Sequence, residues 1–200
     1  MRAENTNPPI TGAQALAVHM AGTCMPRQDY KALLSELVDA CEGVEGLPGQ
    51  KRLVVYGGEI DSLPFMETIE SQGAVVVADS LGGFGRRSED MQVATDGDLL
   101  HNLAYAYLQG RPPEPRLHGT RAERWNYLEG IAAKAHADGF IQVHIPKCDL
   151  WSYERLMFDT EVERKGLACL DLDTEYIFTN AGQTRTRVQA FVETLTEGGR

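Results

Sequence analysis

Short unbroken apolar runs alternate along this chain with stretches whose apolar residues recur at three and four, the pattern of strands separated by helices. Arg52-Leu53-Val54-Val55-Tyr56-Gly57-Gly58 is the first such run, closed by glycines as a strand buried on both faces would be. Ala74 to Asp79, Gly139 to Ile145 and Leu167 to Leu172 repeat the form and predict three more strands.

Helical spacing fills the intervals. Thr11 to Cys41 reads as helical with a breaker at Cys24-Met25-Pro26, the second part carrying Tyr30, Leu33, Leu34, Leu37 and Val38. Ser62 and Pro64 open a helix with Phe65, Met66 and Ile69 inward, which Gly73 ends. Past a glycine-rich basic loop ending in Arg86-Arg87, Leu99, Leu100, Leu103, Tyr107 and Leu108 mark another helix, and Pro112, Pro113 and Pro115 a second loop.

Thr120 with Glu123 three residues on predicts a capping box for a helix to about Ala137, with Trp125, Leu128, Ile131 and Ala132 on its apolar face. Tyr153 to Lys165 is predicted helical with Leu156, Met157 and Val162 inward and Gly166 as its stop. Gly182-Gln183-Thr184 opens the closing helix, whose inward residues are Val188, Phe191, Val192 and Leu195.

Strand–helix alternation implies a parallel sheet covered on both faces by right-handed crossovers. The expectation is an α/β fold, a small flavodoxin-like parallel sheet of about four strands in the order 2-1-3-4, with an N-terminal helical extension. Residues 1–50 form the extension and residues 51–200 the α/β domain.

Composition narrows the partners. A formal net charge of -10 and a pI near 5.0 argue against nucleic acid, whose phosphates need a basic face. No run approaches the roughly 18 apolar residues of a membrane span, and the N-terminus lacks the apolar core of a signal peptide. Cys24, Cys41, Cys148 and Cys169 lie far apart with no CxxC pair, so the chain reads as cytoplasmic, without a disulfide framework or a self-contained metal site.

Ligands of such a sheet sit beyond the carboxyl ends of the strands where the order reverses, which puts Gly57, Gly58 and Pro146-Lys147-Cys148-Asp149 on one crevice. Glu59 and Asp61, following the first strand, would repel a flavin phosphate there. Cys148 reads either as a small packed hydrophobe or as a ligand or nucleophile whose thiolate Lys147 favours. Cys169 in a strand and Cys41 in a helix read as structural, and His144 as a packed, hydrogen-bonded group.

His118, before Thr120, is the better histidine for a site. Arg86, Arg87, Arg111, Arg116, Arg121 and Arg124 cluster at loop and helix ends, either as solvated surface or as contacts to an anion such as a nucleotide-tailed thioester. Gln183 and Thr184 offer a helix N-terminus that can hold an anion or be capped internally.

Several of these stretches together resemble one known family. Ala137-Asp138-Gly139-Phe140-Ile141 running into Lys147-Cys148-Asp149-Leu150-Trp151, the segment Gly182 to Glu193, the first strand, Glu70 to Asp79 and His118-Gly119-Thr120-Arg121 look like the 2-hydroxyacyl-CoA dehydratase and benzoyl-CoA reductase subunits. The likeness is to the C-terminal half of members about twice as long.

That resemblance implies an oxygen-sensitive heterodimer with a homologous second subunit, a 4Fe–4S cluster held by cysteines, and an ATP-dependent activator protein that delivers one electron. The electron turns an acyl-CoA into a ketyl radical that loses water, or drives reduction of an aromatic acyl-CoA ring. Only Cys148 carries over as a cluster ligand, and one thiolate falls short of the roughly three or four a cluster needs. The remaining ligands then belong to another domain or partner, and the chain alone is inactive. A non-catalytic partner or assembly domain that kept the fold is the competing expectation.

Overall fold

A computed structural model of the chain describes residues 5–82, 91–110, 115 and 119–197. The loops carrying Arg86, Arg87, Arg111, Arg116 and His118 lie outside the described residues.

Four strands, β1 (Lys51–Gly57), β2 (Ala74–Leu81), β3 (Gly139–His144) and β4 (Cys169–Asp173), pair in parallel in the order 2-1-3-4. Among the described residues seven helices accompany them: α1 (Gly12–Cys24), α2 (Arg27–Cys41), α3 (Leu63–Glu70), α4 (Leu99–Leu108), α5 (Arg121–Lys134), α6 (Asp149–Lys165) and α7 (Ala181–Glu197). The apolar runs became central strands because both faces are covered: Leu53, Val55, Ile141 and Val143 pack under α1, α3 and α7, while Val54, Tyr56 and Phe140 pack under α5 and α6.

The N-terminal helical segment divides in two. In α1, Thr11 makes a capping box with Gln14, and Leu16 is fully buried in the core. The Glu70 carboxylate accepts from Gly12 N at 2.7 Å, Ala13 N at 3.1 Å and Val76 N at 3.0 Å, so one side chain ties the start of α1 to β2. By contrast α2 has no buried residue.

Several local expectations give way to packing. Ser62 caps α3 as its position predicts, but Thr120 makes no side-chain cap, and its hydroxyl accepts from Arg124 Nη1 at 2.7 Å instead. Helix α6 starts four residues earlier than the periodicity placed it, with Cys148 as its N-cap. Its inward stripe is Trp151, Glu154, Phe158 and Val162, and Leu156 points to solvent. The sheet beneath selects that stripe, because β1 and β3 present Tyr56 and Phe140 to Phe158. In α4 only Ala106 is buried, and Leu100 and Leu108 are 80% and 75% exposed.

Candidate functional site

The strand order reverses between β1 and β3, and their last register pair is Gly57 with Val143. A Cβ on Gly57 would run into the Val143 carbonyl, so glycine is what lets the two backbones close there. Gly58, next along, lies under Trp151 and Ile145, about one methyl contact away from each.

The chain leaves β3 through Ile145-Pro146-Lys147-Cys148. Cys148 N donates to Ile145 O at 3.2 Å and Lys147 has φ +69°, so this is a turn with proline at its second position and a positive φ at its third. That third position favours glycine or asparagine. A lysine there carries backbone strain and stands exposed beside Cys148.

Cys148 is half-buried, and its sulfur makes no capping bond to α6. Its carbonyl accepts twice from one residue, Ser152 N at 2.9 Å and Ser152 Oγ at 2.8 Å. The same hydroxyl lies 2.8 Å from His144 Nε2, and His144 Nδ1 lies 3.1 Å from Asp173 Oδ1. Arg155 bridges Asp171 and Asp173, so the strand end of β4, the imidazole and the first turn of α6 share one polar network.

A second polar network lies deeper. Glu154 accepts from Tyr56 Oη at 2.7 Å and from Arg124 Nε at 2.7 Å and Nη2 at 2.6 Å. Burial works against the Arg124 charge, and its hydrogen bonds and charge pairing with Glu154 outweigh that and raise its pKa. The first two turns of α6 are therefore held to β1, β3, β4 and α5 through Ser152, Glu154 and Arg155, and the later turns through Phe158 and Val162.

Of the residues singled out from sequence, the fold places Gly57 and Gly58 at the end of β1 and Lys147 and Cys148 after β3, at the carboxyl end of the two adjacent strands. Arg121 instead pairs with Glu161 at 3.1 Å, more than three turns along α6 from Cys148. Thr184 is buried under the first turn of α7, in the other helical layer, with Gln183 exposed beside it. Arg124 is neither solvated nor open to an anion, because Glu154 takes it.

His144 is packed and hydrogen-bonded, as its place in the strand predicted. Cys169 packs against the α5–α6 core, and desolvation pushes its thiol up to about 12, despite a backbone hydrogen bond from Gln142 that lowers it. Tyr56 and Glu154 had no signal in the sequence beyond an odd carboxylate on what proves to be the inward stripe of α6.

Among the described residues no group of three or more His, Cys, Asp or Glu is placed to hold a metal ion, and no helix is long and apolar enough to cross a membrane.

Comparison with known proteins supplies a context for the crevice. Residues 1–195 match the profile of the family described as 2-hydroxyglutaryl-CoA dehydratase, D-component. The chain is 23% identical over 187 residues to the (R)-phenyllactyl-CoA dehydratase beta subunit of Clostridium sporogenes, covering 93% of this chain and 49% of that one. It is 27% identical to the putative dehydratase subunit YjiM of Escherichia coli (strain K12), covering 94% and 51%, and 23% identical to the lactoyl-CoA dehydratase subunit beta of Anaerotignum propionicum, covering 90% and 48%. The chain thus spans about half the length of the curated relatives it matches.

Proposed function

The chain belongs to the 2-hydroxyglutaryl-CoA dehydratase D-component family, and from that premise we propose that it is the C-terminal half of a 2-hydroxyacyl-CoA dehydratase-type subunit, which contributes one thiolate to an iron–sulfur cluster. The observation that carries this reading is Cys148, a half-buried thiol at the N-cap of α6, set at the switch point of the sheet and committed to no capping bond.

The donor set tests the fit. A 4Fe–4S cluster takes about four cysteine thiolates. The described residues provide no such group, and Cys169 is held protonated by burial. This chain therefore fits one corner of a cluster and not the whole, and the other ligands come from a further domain or from a homologous second subunit. When bound, the cluster would supply one-electron chemistry to an acyl-CoA, with an ATP-dependent activator as the electron source.

The chain's own residues do simpler things. Gly57 lets β1 and β3 close beneath the crevice. Trp151 lies over Gly58 and meets the Tyr56 ring edge-on at 5.4 Å, which packs the start of α6 onto the end of β1. Lys147, exposed next to Cys148 in the chain, offers a cation to an anionic substrate group.

The test is anaerobic production of the chain with its neighbouring subunits, followed by iron and sulfide analysis and EPR of wild type and Cys148→Ser. Loss of one cluster from the variant complex is the expected result. A Cys148→Ser complex with full iron and an unchanged signal overturns the assignment. Coenzyme A titrated at low and high salt checks the substrate class, salt-sensitive binding being expected.

A further inference from the structure

The loop that presents Cys148 is strained: Lys147 sits at φ +69° where glycine would be relaxed, and something must keep the turn from opening. We propose that His144 and Ser152 are positioning residues that hold the Cys148 turn in its presented form. The purpose of this clamp rests on the reading of Cys148 as a cluster ligand, but its existence does not.

The clamp is a chain of contacts between elements that are otherwise separate in sequence. Asp173 at the end of β4 is 3.1 Å from His144 Nδ1, His144 Nε2 is 2.8 Å from Ser152 Oγ, and Ser152 Oγ is 2.8 Å from the Cys148 carbonyl. Thr174 N also donates to His144 O at 2.9 Å, which fixes the backbone from which the imidazole projects.

The Ser152 hydroxyl donates to the Cys148 carbonyl, and its oxygen lies within hydrogen-bond reach of the imidazole. The ring therefore helps fix the hydroxyl in the orientation that grips the carbonyl. Asp173 and Arg155 orient the ring, since Arg155 Nη1 shares the same Asp173 oxygen at 3.1 Å. A helix would fold without this arrangement, because the Ser152 N–H already bonds to the Cys148 carbonyl. What the hydroxyl and ring add is a lateral tie from that carbonyl to β3 and β4.

Positioning is separable from folding by a readout local to the thiol. The complete chain is alkylated with iodoacetamide under native conditions, and the modification of Cys24, Cys41 and Cys148 is followed separately by mass spectrometry in wild type, Ser152→Ala, Ser152→Thr and His144→Gln. Ser152 is exposed, so its alanine variant folds.

The expected result is that Ser152→Ala labels Cys148 about 2- to 10-fold faster than wild type, the rate equivalent of one lost hydrogen bond, with Cys24 and Cys41 unchanged. Ser152→Thr, which keeps the hydroxyl, returns the wild-type rate, and His144→Gln falls between. Unchanged Cys148 labelling in Ser152→Ala overturns the proposal, as does an equal rise at all three cysteines, which is general loosening. If Cys148→Ser retains its full cluster while Ser152→Ala still shifts labelling, the ligand reading fails and the clamp stands; the opposite pair of results fails the clamp alone.

Discussion

Arg124 and Glu154 face each other through two hydrogen bonds of 2.7 and 2.6 Å, with side chains 9% and 7% exposed, on two helices that cover the same side of the sheet. Tyr56 Oη completes the Glu154 environment from β1. The pair sits below the segment that carries Cys148 and links the helix bearing the thiol to the rest of its layer.

Removing one partner leaves the other charged and buried. Glu154→Ala is expected to destabilise the fold by about 3–5 kcal/mol, whereas Arg124→Met combined with Glu154→Leu costs less than either single change predicts. Urea denaturation followed by tryptophan fluorescence measures both, since Trp125 and Trp151 lie in the same layer. A Glu154→Ala midpoint equal to wild type would show that the pair contributes nothing.

Lys147→Gly should stabilise the chain. The left-handed backbone costs a non-glycine residue about 1–2 kcal/mol, and glycine returns roughly 0.5–1 kcal/mol of that as unfolded-state entropy, which leaves a gain of up to about 1.5 kcal/mol. For a chain of this length the melting temperature rises by about 2–4 °C per kcal/mol. Thermal unfolding monitored by circular dichroism reads it, and Lys147→Val is expected to move the other way.

Glu70→Ala strips three backbone donors of their acceptor. The expected cost is about 1–3 kcal/mol, localised to α1 and its contact with β2. Hydrogen exchange should accelerate at residues 12–16 and at Val76 first, with β3 protected as before.

Cys169 makes stability depend on alkaline pH. Its ordinary thiol value is 9.0, and desolvation in the folded chain pushes it up to about 12. Above pH 9 the unfolded chain releases this proton while the folded chain keeps it, so the unfolded state binds fewer protons and stability falls as pH climbs from 9 towards 12. Across that window wild type should lose stability faster than Cys169→Ala in urea titrations. Parallel losses would rule out Cys169 as the source.

What the sequence by itself determined is the architecture. Runs such as Leu53 to Gly57 and Ala74 to Ala78 are apolar at every position, a pattern that suits a strand covered on both faces, and four short strand-like runs between helical segments admit the order 2-1-3-4. That order sets the reversal between β1 and β3, with Gly57 and Gly58 at the end of the one strand and Cys148 following the other at the same end of the sheet.

Only the tertiary structure decided which polar groups pair. Helical periodicity leaves several stripes of α6 equally plausible, and apolar content alone favours Leu156 over Glu154. Glu154 turns inward because Tyr56 and Arg124, distant in sequence by 98 and 30 residues, are both there to donate to it. The tie from Asp173 through His144 and Ser152 to Cys148 likewise joins β4, β3 and α6, and no local pattern encodes it. Hydrophobic burial repeats with the period of each element and can be read along the chain, whereas a hydrogen bond between buried side chains depends on an approach that exists only once the layers have packed.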